Sequence, residues 1–434
     1  MKYLKEFTNK SDYDAAYASG ELPFPHVCKV GEEVVYASEF ESELDVNLPF
    51  YIEALEDLTV SFSTNTIQYS LDRIAWNDLV PNTPTPTVTS GSKIYFKAYK
   101  LTATESAGIG TFNISGQCNL GGNIASLYLG LDFDKYLKNV CSLPYFYFIK
   151  LFYNQQMIIN ADKLIIHFRH LGTSSLKQMF ENCSSLINAP RVYCEVVGEN
   201  NFHRMFYNCT SLVNASQIDL GNILYNYKYT FYQMFYNCTS LVNAPSIIKI
   251  NNAYDSVCTQ MFYNCTSLVN APKIICSDDS TSNSGSIFNM MFYNCKSLVN
   301  VPDLNFKMTI YSMQQMFSNC TSLVNAPKIY YLGISPSTQF NSPFMGCSSL
   351  ENVSFTITPY KSSNTTYVYF YNMFNNCPSL RNVTIISDSN TSAEIRNFTD
   401  NTINVTLHKD PSLTVVGSFV LENWNIVDNV YEEV

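Results

Sequence analysis

Apolar residues recur in a fixed grouping between about residue 150 and residue 385. In one copy they stand at positions i, i+3, i+4 and i+7, occupied by Leu176, Met179, Phe180 and Cys183. That spacing is typical of the buried face of a short helix. Position i is apolar in all eight full copies, at Leu176, Phe202, Phe231, Cys258, Phe288, Met313, Phe340 and Phe370. We therefore predict a short helix at the start of each copy, kinked or shortened where Pro343 replaces the methionine.

Each predicted helix ends at the residue before the cysteine. This residue is Asn in seven copies and Gly346 in the other. Asn and Gly both tolerate the left-handed backbone conformation that closes a helix. The following residues, of which "SLVNAPKI" is typical, are predicted to form a short strand that ends near the proline. Alternating apolar residues in the last copies, such as Val353, Phe355 and Ile357, also favour strands.

The cysteines show the length of the repeat, because they follow one another at intervals of 25–30 residues. They are Cys183, Cys209, Cys238, Cys265, Cys295, Cys320, Cys347 and Cys377. A ninth, degenerate copy, "LFYNQQMIINADKLII", precedes them and carries Gln155 in the cysteine position, as expected of a terminal cap. A unit of about 27 residues cannot bury its own apolar face, but a stack of such units can. The sequence therefore predicts an α+β solenoid of about nine coils.

The stretch "MFYNCTSLVNAP" (residues 261–272) resembles the BspA-like leucine-rich repeats, whose units carry an aromatic residue, then Gly-Cys or Asn-Cys, then Ser-Leu. The resemblance covers about residues 125–385 and recurs in every copy. It implies a right-handed, curved solenoid with parallel strands on one face, used for adhesion and surface recognition. The Ala-Pro after Asn departs from the usual form, so the resemblance leaves the strand length open.

Three further parts are predicted around the solenoid, which is assigned to residues 122–385. Residues 1–48 are interpreted as an N-terminal attachment arm with a hairpin around Gly31, similar to the opening of structural proteins of gut-bacterial phages. Residues 49–121 carry about six short alternating segments between turn-rich stretches, which predicts a small all-β sandwich with Trp76 in its core. Residues 386–434, which include Trp424, are predicted to cap the open end.

Composition and charge exclude some classes of function. Hydrophobic residues make up 46% of the chain and charged residues 14%, which is typical of a folded protein. The formal net charge of −10 argues against a nucleic-acid-binding protein, which needs a basic face. The N-terminus shows no secretory signal and the chain contains no apolar run of 18 residues, so neither export nor membrane insertion is expected.

A chain folded in a reducing compartment is expected to keep its cysteines as buried thiols. Disulfides between neighbouring coils are the alternative, since adjacent coils lie close enough to be bridged. The spacing of the cysteines, and of His167 and His170, does not match a zinc site, and no cofactor is predicted. Asn-Cys-Thr sites such as Asn208 follow from the repeat pattern itself, so glycosylation is not expected.

A second asparagine follows two positions after each repeat leucine. These residues are Asn188, Asn214, Asn243, Asn270, Asn300, Asn325, Asn352 and Asn382, with Asn160 in the degenerate copy. A buried polar side chain needs hydrogen-bond partners, so we predict an amide ladder that links the backbones of neighbouring coils. Contact with a ligand is the alternative.

Tyrosine follows the repeat phenylalanine in five copies, at Tyr153, Tyr207, Tyr236, Tyr263 and Tyr293. This position lies off the inward face, so we predict a row of exposed rings that contacts a sugar or a protein partner. In the alternative interpretation, each ring only covers the aliphatic edge of the next coil.

No nucleophile, phosphate-binding loop or paired-carboxylate motif is found in the sequence, so no catalytic residue is assigned and an enzyme is not expected. We predict a structural protein of a phage virion, either a fibre, a tail or a head-decorating protein, assembled in the host cytoplasm. Its arm is expected to contact other virion proteins, and its solenoid to bind a glycan or protein on the host surface. The alternatives are a bacterial cell-surface adhesin of the same repeat family and a cytoplasmic scaffold for protein partners. The sequence leaves homo-oligomer formation open.

Overall fold

The computed structural model describes residues 5–7, 26–30, 33–37, 48–99, 108–132, 142–221, 223–224, 227–250, 256–276, 286–305, 312–334, 339–359, 366–387, 393–399, 402–416 and 422–428. The chain divides into two units, Met1–Leu48 and Pro49–Val434. In the first unit, β1 (Lys5–Phe7) pairs in parallel with β2 (His26–Val30), and β2 pairs antiparallel with β3 (Glu33–Ala37). The predicted hairpin turn at Gly31 lies outside the described residues.

The second unit opens with seven strands and a short helix. The strands are β4 (Tyr51–Ala54), β5 (Val60–Phe62), β6 (Ile67–Ser70), β7 (Asn77–Asp78), β8 (Lys93–Ala98), β9 (Phe112–Ile114) and β10 (Cys118–Asn123). The helix α1 (Ser126–Leu129) and a 3-10 turn (Gly130–Asp132) follow. Strands β4, β6, β7, β8 and β10 belong to one sheet, and β5 pairs separately with β9.

This region differs from the predicted separate sandwich because its sheet is continuous with the repeats. Strand β10 pairs antiparallel with β4 on one side and in parallel with β12 (Ile158–His167) on the other. The predicted boundary at residue 121 therefore falls inside a strand. The cores are also joined, since Phe112 stacks on Phe152 of the degenerate repeat at 5.4 Å between ring centroids. Trp76 is not in this core: it is half-buried, with the Lys97 ammonium 4.4 Å from its ring centroid.

The remaining strands follow the repeats. They are β11 (Ser142–Leu143), β12, β13 (His170–Leu171), β14 (Arg191–Tyr193), β15 (Val196–Val197), β16 (Ile247–Ile250), β17 (Lys273–Cys276), β18 (Leu304–Asn305), β19 (Ile329–Ile334), β20 (Gln339–Asn341), β21 (Asn352–Pro359), β22 (Thr366–Tyr371), β23 (Asn382–Ser387), β24 (Ala393–Thr399), β25 (Thr406–Lys409), β26 (Leu413–Val416) and β27 (Asn425–Asp428). Strands of successive turns pair in parallel, as β21 does with β23, and build a solenoid of about eight turns.

The predicted helices are wrong, because each copy begins with a series of β-turns. Every fourth residue has a positive φ, which is 59° at Ser174, 57° at Gln178 and 63° at Asn182. The Met179 amide donates to the Leu176 carbonyl three residues back, whereas the Phe180 amide donates to Met205 in the next turn of the solenoid. Alternate amides thus close turns within a copy or join neighbouring copies.

The apolar spacing fits both structures. A period of four residues also places Leu176 with Phe180, and Met179 with Cys183, on one side of the chain. Over eight residues, periods of 3.6 and 4.0 differ by only about a fifth of a turn. The stack decides between them, because neighbouring copies supply acceptors for the alternate amides that point along the solenoid axis. The predicted positive φ at the residue before the cysteine is confirmed, at 63° in Asn182 and 76° in Gly346.

The tail continues the solenoid sheets. Strand β25 pairs with β23, β27 pairs with β25, and β26 pairs with β24, all in parallel. Trp424 is buried against Phe374 at 6.1 Å between ring centroids, and its indole N–H donates to the Thr402 carbonyl at 2.7 Å. The core that begins at Phe50 therefore extends to Trp424 without interruption.

Candidate functional site

The interior of the solenoid is a column of stacked phenylalanines. Consecutive rings lie 5.1–6.0 Å apart between centroids and within 24° of parallel, and the column comprises Phe152, Phe180, Phe206, Phe235, Phe262, Phe292, Phe317, Phe344 and Phe374. Their side chains are 0% exposed. The column therefore fills the middle of the interior with aromatic rings.

The eight repeat cysteines lie beside this column as free thiols. Each thiol donates to the carbonyl of the phenylalanine in the preceding copy at 3.0–3.1 Å, as Cys265 does to Phe235. Burial raises the pKa of the Cys209, Cys238 and Cys265 thiols well above the usual range. Neutral, enclosed thiols of this kind are poor nucleophiles.

We expect the twelve buried thiols of the described residues to resist alkylation in the folded protein. A bulky maleimide needs both access and thiolate, and burial removes both. Peptide mass mapping after labelling, with and without guanidinium, measures the modified fraction at each cysteine. Labelling of Cys238 or Cys265 in the folded chain at the rate seen in denaturant would contradict the buried position.

The predicted asparagine ladder lies at the surface rather than in the interior. The Asn300 amide donates to Asn270 at 2.7 Å, and the Asn382 amide donates to Asn352 at 2.9 Å. Similar bonds join Asn188 to Asn160 and Asn352 to Asn325. Backbone bridges pair further members, such as Asn214 with Asn243. Asn188 and Asn214 are half-buried, whereas Asn243, Asn270, Asn300, Asn325, Asn352 and Asn382 are exposed.

A second asparagine ladder was missed by the sequence reasoning. The residues before the cysteines donate side chain to side chain at 2.5–3.0 Å, through Asn154, Asn182, Asn208, Asn237, Asn264 and Asn294. At Gly346 the Asn319 side-chain oxygen lies where a Cβ atom would be, so the asparagine side chain occupies the space that glycine leaves open. The asparagine before each cysteine was the signal in the sequence for this ladder. The same positive φ in every copy holds the side-chain amides of successive copies in one line.

Aliphatic side chains form an exposed row next to the surface asparagine ladder. The row consists of Ile187, Val213, Val242, Val269, Val299 and Val324, which are 36–44% exposed. The next two copies carry Glu351 and Arg381 at this position. The sequence reasoning did not predict this row, because the residue was assigned to a strand with no defined face.

Four of the five predicted surface tyrosines form a continuous stack. Ring centroids are 4.7 Å apart between Tyr207 and Tyr236, 4.5 Å between Tyr236 and Tyr263, and 4.7 Å between Tyr263 and Tyr293, with planes within 10°. All four are half-buried. Tyr153 stands apart because Glu181 occupies the position in the intervening copy. We call residues 207, 236, 263 and 293 the tyrosine row.

The rings of the tyrosine row cover one another, so the row presents ring edges and hydroxyls rather than faces. Burial is the main cause that raises the pKa of Tyr236 and Tyr263. The neighbouring phenols add to the rise at Tyr236, whereas at Tyr263 the Tyr293 phenol adds to it and a hydrogen bond with Tyr236 opposes it. The Arg204 guanidinium covers the outer face of Tyr207 at 4.0 Å. Stacking of a sugar on an exposed ring face, as predicted, is therefore available at most at the Tyr293 end of the row.

Charged residues collect where the tyrosine row begins. Glu181 is buried, and it accepts from Arg204 at 2.8 Å and from Gln178 at 2.7 Å. His203 packs edge-on against Tyr232 at 5.1 Å. Burial, followed by the charges of Lys177 and Arg204, lowers the pKa of His203 to about 4.

Acidification is expected to destabilise the protein through His203. Its pKa of about 4 lies below the value of 6.5 for a free histidine, so the unfolded chain binds a proton first as the pH falls between these values. We expect His203→Gln to remove roughly 2 kcal/mol of this pH dependence, after allowance for partial exposure. Unfolding midpoints of both proteins at pH 7 and pH 4.5 measure it. Equal pH dependence in the two would contradict the assignment.

Neither a metal-binding cluster nor a membrane-spanning helix is present in the part of the chain that the structure describes. No group of three or more His, Cys, Asp or Glu side chains there is arranged to hold a metal ion. Within the same residues, no helix has the length and apolar character needed to cross a bilayer.

Two solved structures are similar to the chain over part of its length. A leucine-rich cell-surface protein from Faecalibacterium prausnitzii A2-165 shares 13% identity, with 64% of this chain and 84% of that chain covered and a TM-score of 0.23. A leucine-rich repeat protein from Bacteroides ovatus ATCC 8483 shares 15% identity, with 63% and 78% covered and a TM-score of 0.21. The comparison with curated proteins finds no match. The family model described as "Mycoplasma protein of unknown function, DUF285" matches residues 150–274 and 286–406, more than half of the chain, and the protein belongs to this family.

Proposed function

We propose that the protein is a non-enzymatic recognition protein that uses the outer turn face of its solenoid to bind an extended surface ligand, such as a glycan. The outer turn face is the side of the β-turns that carries the tyrosine row. The observation that supports this role is the row itself, because four phenol hydroxyls are held in line by ring stacking at 4.5–4.7 Å. Side chains ordered before binding lose little conformational entropy when a ligand arrives.

The chemistry of the face fits recognition better than catalysis. Tyrosine hydroxyls can donate and accept, and their rings supply a rigid apolar surface, which is why tyrosine is common at binding surfaces. The cysteines that could act as nucleophiles are buried thiols with raised pKa values. A repeating row also suits a repeating ligand, since each turn of the solenoid offers the same contact.

A printed array of host and bacterial glycans tests the proposal. We expect the intact chain to bind a subset of glycans, and the variant with Phe at Tyr207, Tyr236, Tyr263 and Tyr293 to bind them at least about 10-fold more weakly, because each lost hydrogen bond contributes about 1 kcal/mol. Phenylalanine keeps the stack and removes only the hydroxyls. The matched control carries four tyrosine-to-phenylalanine changes away from this face, at Tyr69, Tyr95, Tyr99 and Tyr330. Equal losses in both variants, or no glycan bound at all, would reject the proposal.

The place of action stays a prediction. Attachment to a phage particle through residues 1–48 draws no support from the family match, and display on a bacterial cell surface is equally compatible with a recognition solenoid. Mass spectrometry of purified particles and of fractionated cells separates the two. Deleting residues 1–48 should abolish incorporation into particles if they form the attachment arm, and unchanged incorporation would reject that role.

A further inference from the structure

We propose that a groove at the N-terminal end of the outer turn face binds the acidic group of a carboxylate- or sulfate-bearing polysaccharide. This inference rests on the proposed function and names the class of ligand for it. Thr111, Phe146, Lys150, Lys177 and Gln178 line the groove. We call it the basic groove.

Cations from three successive turns meet at the basic groove, although the whole chain has a formal net charge of −10. Lys150 is exposed at its rim, and Lys177 is half-buried in its wall. Arg204 lies in the next copy, close enough that its charge and that of Lys150 both help to lower the pKa of Lys177, after burial as the main cause. Like charges held together in this way are stabilised when an anion binds between them.

The nearby Glu181 carboxylate offsets these charges only weakly, because its effect on the pKa of Lys177 is smaller than that of either Lys150 or Arg204. Glu181 is buried, and its two oxygens accept from Arg204 and Gln178. Among the residues that the structure describes, no carboxylate lies within ion-pair distance of Lys150 or Lys177. The two lysine ammonium groups are therefore available to an incoming carboxylate or sulfate, which would receive charge-assisted hydrogen bonds.

The surroundings of the cluster favour a sugar chain over an acidic peptide. The backbone amides of these turns already have partners in the next turn. The Phe148 amide donates to the Ser175 carbonyl, and the Lys150 amide donates to the Lys177 carbonyl. A peptide therefore finds no free strand edge along these turns with which to pair. A sugar chain needs side-chain donors instead, and Lys150, Lys177 and Gln178 supply them in the lining of the groove.

The basic groove and the tyrosine row have Arg204 as a common neighbour. Arg204 contributes to the positive charge around Lys177, and its guanidinium lies over the Tyr207 ring at 4.0 Å. An acidic sugar held by Lys150 and Lys177 would thus place the neighbouring sugars of its chain along the hydroxyls of Tyr207 and Tyr236. The two lysines would thus bind the acidic end of the ligand, and the tyrosine hydroxyls would form hydrogen bonds along the rest of its length.

Binding of the full chain to four polymers tests the inference: polygalacturonate for carboxylate, heparin for sulfate, dextran as a neutral glycan and poly-L-glutamate as an acidic peptide. Isothermal titration calorimetry compares the natural chain with Lys150→Gln/Lys177→Gln and with Lys249→Gln/Lys273→Gln. Lys249 and Lys273 lie on the strands β16 and β17, and their replacement removes the same total charge as the replacement of Lys150 and Lys177. Arg204 is not replaced, because its loss would leave the buried Glu181 carboxylate without its ion-pair partner.

We expect polygalacturonate or heparin to bind, and the groove variant to bind it at least about 10-fold more weakly while the strand variant stays within about twofold. The acid that binds identifies the anionic group. Equal weakening in both variants would show a general charge effect and overturn the inference. Preferential binding of poly-L-glutamate that is lost in the groove variant would assign the groove to a peptide instead.

Failure here is distinguishable from failure of the proposed function. If glycans on the array bind through the tyrosine row but the groove variant binds all of them as tightly as the natural chain, only the basic groove is rejected. If no glycan binds in either experiment, both proposals are rejected. We expect the groove variant to fold, because Lys150 is exposed and Lys177 is only half-buried, and unfolding midpoints of all the variants measure this.

Discussion

Phe262→Ala is expected to lower the free energy of unfolding by about 3–5 kcal/mol. The Phe262 ring is fully buried, with Phe235 at 5.3 Å and Phe292 at 5.4 Å on its two faces. Alanine would leave a cavity in the middle of the column, and the flanking rings cannot close it because their backbones are fixed by hydrogen bonds to neighbouring copies. The loss therefore combines transfer free energy with the cost of an unfilled void.

Chemical denaturation followed by circular dichroism measures this loss. Val269→Ala is the matched control, because Val269 lies in the same copy but is 36% exposed, and its truncation is expected to cost less than about 1 kcal/mol. A cost at Phe262 as small as that at Val269 would show that the column is loosely packed. A repeat array can also unfold in segments, so the two variants are compared by the midpoint of the same transition.

Asn264→Ala is expected to cost about 2–4 kcal/mol, whereas Asn264→Gly costs roughly 1 kcal/mol less. Asn264 has a φ of 60°, and its amide donates to Asn237 and accepts from Asn294 at 2.5 Å each. Both substitutions remove the two hydrogen bonds. Only alanine adds the strain of a left-handed backbone, which glycine adopts without a Cβ clash.

Asn270→Ala separates the two contributions in the same copy. Asn270 belongs to the exposed ladder, where it accepts from Asn300 at 2.7 Å, and its φ is not positive. We expect a loss of about 1 kcal/mol or less from denaturation midpoints. If Asn264→Ala and Asn264→Gly cost the same, backbone strain would not be the reason for asparagine before the cysteine.

The sequence predicted the repeat, its period and its inward side chains, because these depend on which residues avoid water. Leu176, Met179, Phe180 and Cys183 are all fully buried. It failed on the local backbone. The pattern cannot tell whether the amide of Phe180 donates within its own copy or to the next one, and that choice separates a helix from a chain of β-turns.

The candidate site shows the same division. The tyrosine positions were predicted from the repeat, but their mutual stacking was not, since it depends on the distance between turns and on the side chains at the same position in neighbouring copies. The basic groove could not be predicted at all. Thr111 and Lys177 are far apart in sequence and belong to regions that are predicted as different domains. They line one groove because β10 pairs with β12 and the Thr111 hydroxyl donates to the Lys150 carbonyl.

By itself, the sequence determined that about 27-residue units stack through their apolar faces, with asparagine or glycine at a left-handed position before each cysteine. Those features follow from solvent avoidance and from local sterics, which act on neighbouring residues. Only the tertiary structure decided that the units are turns rather than helices, that the first strands share the solenoid sheet, and that tyrosines and cations from separate copies form one surface. Each of these depends on contacts between residues about 25 or more positions apart, for which the pattern of a single copy carries no signal.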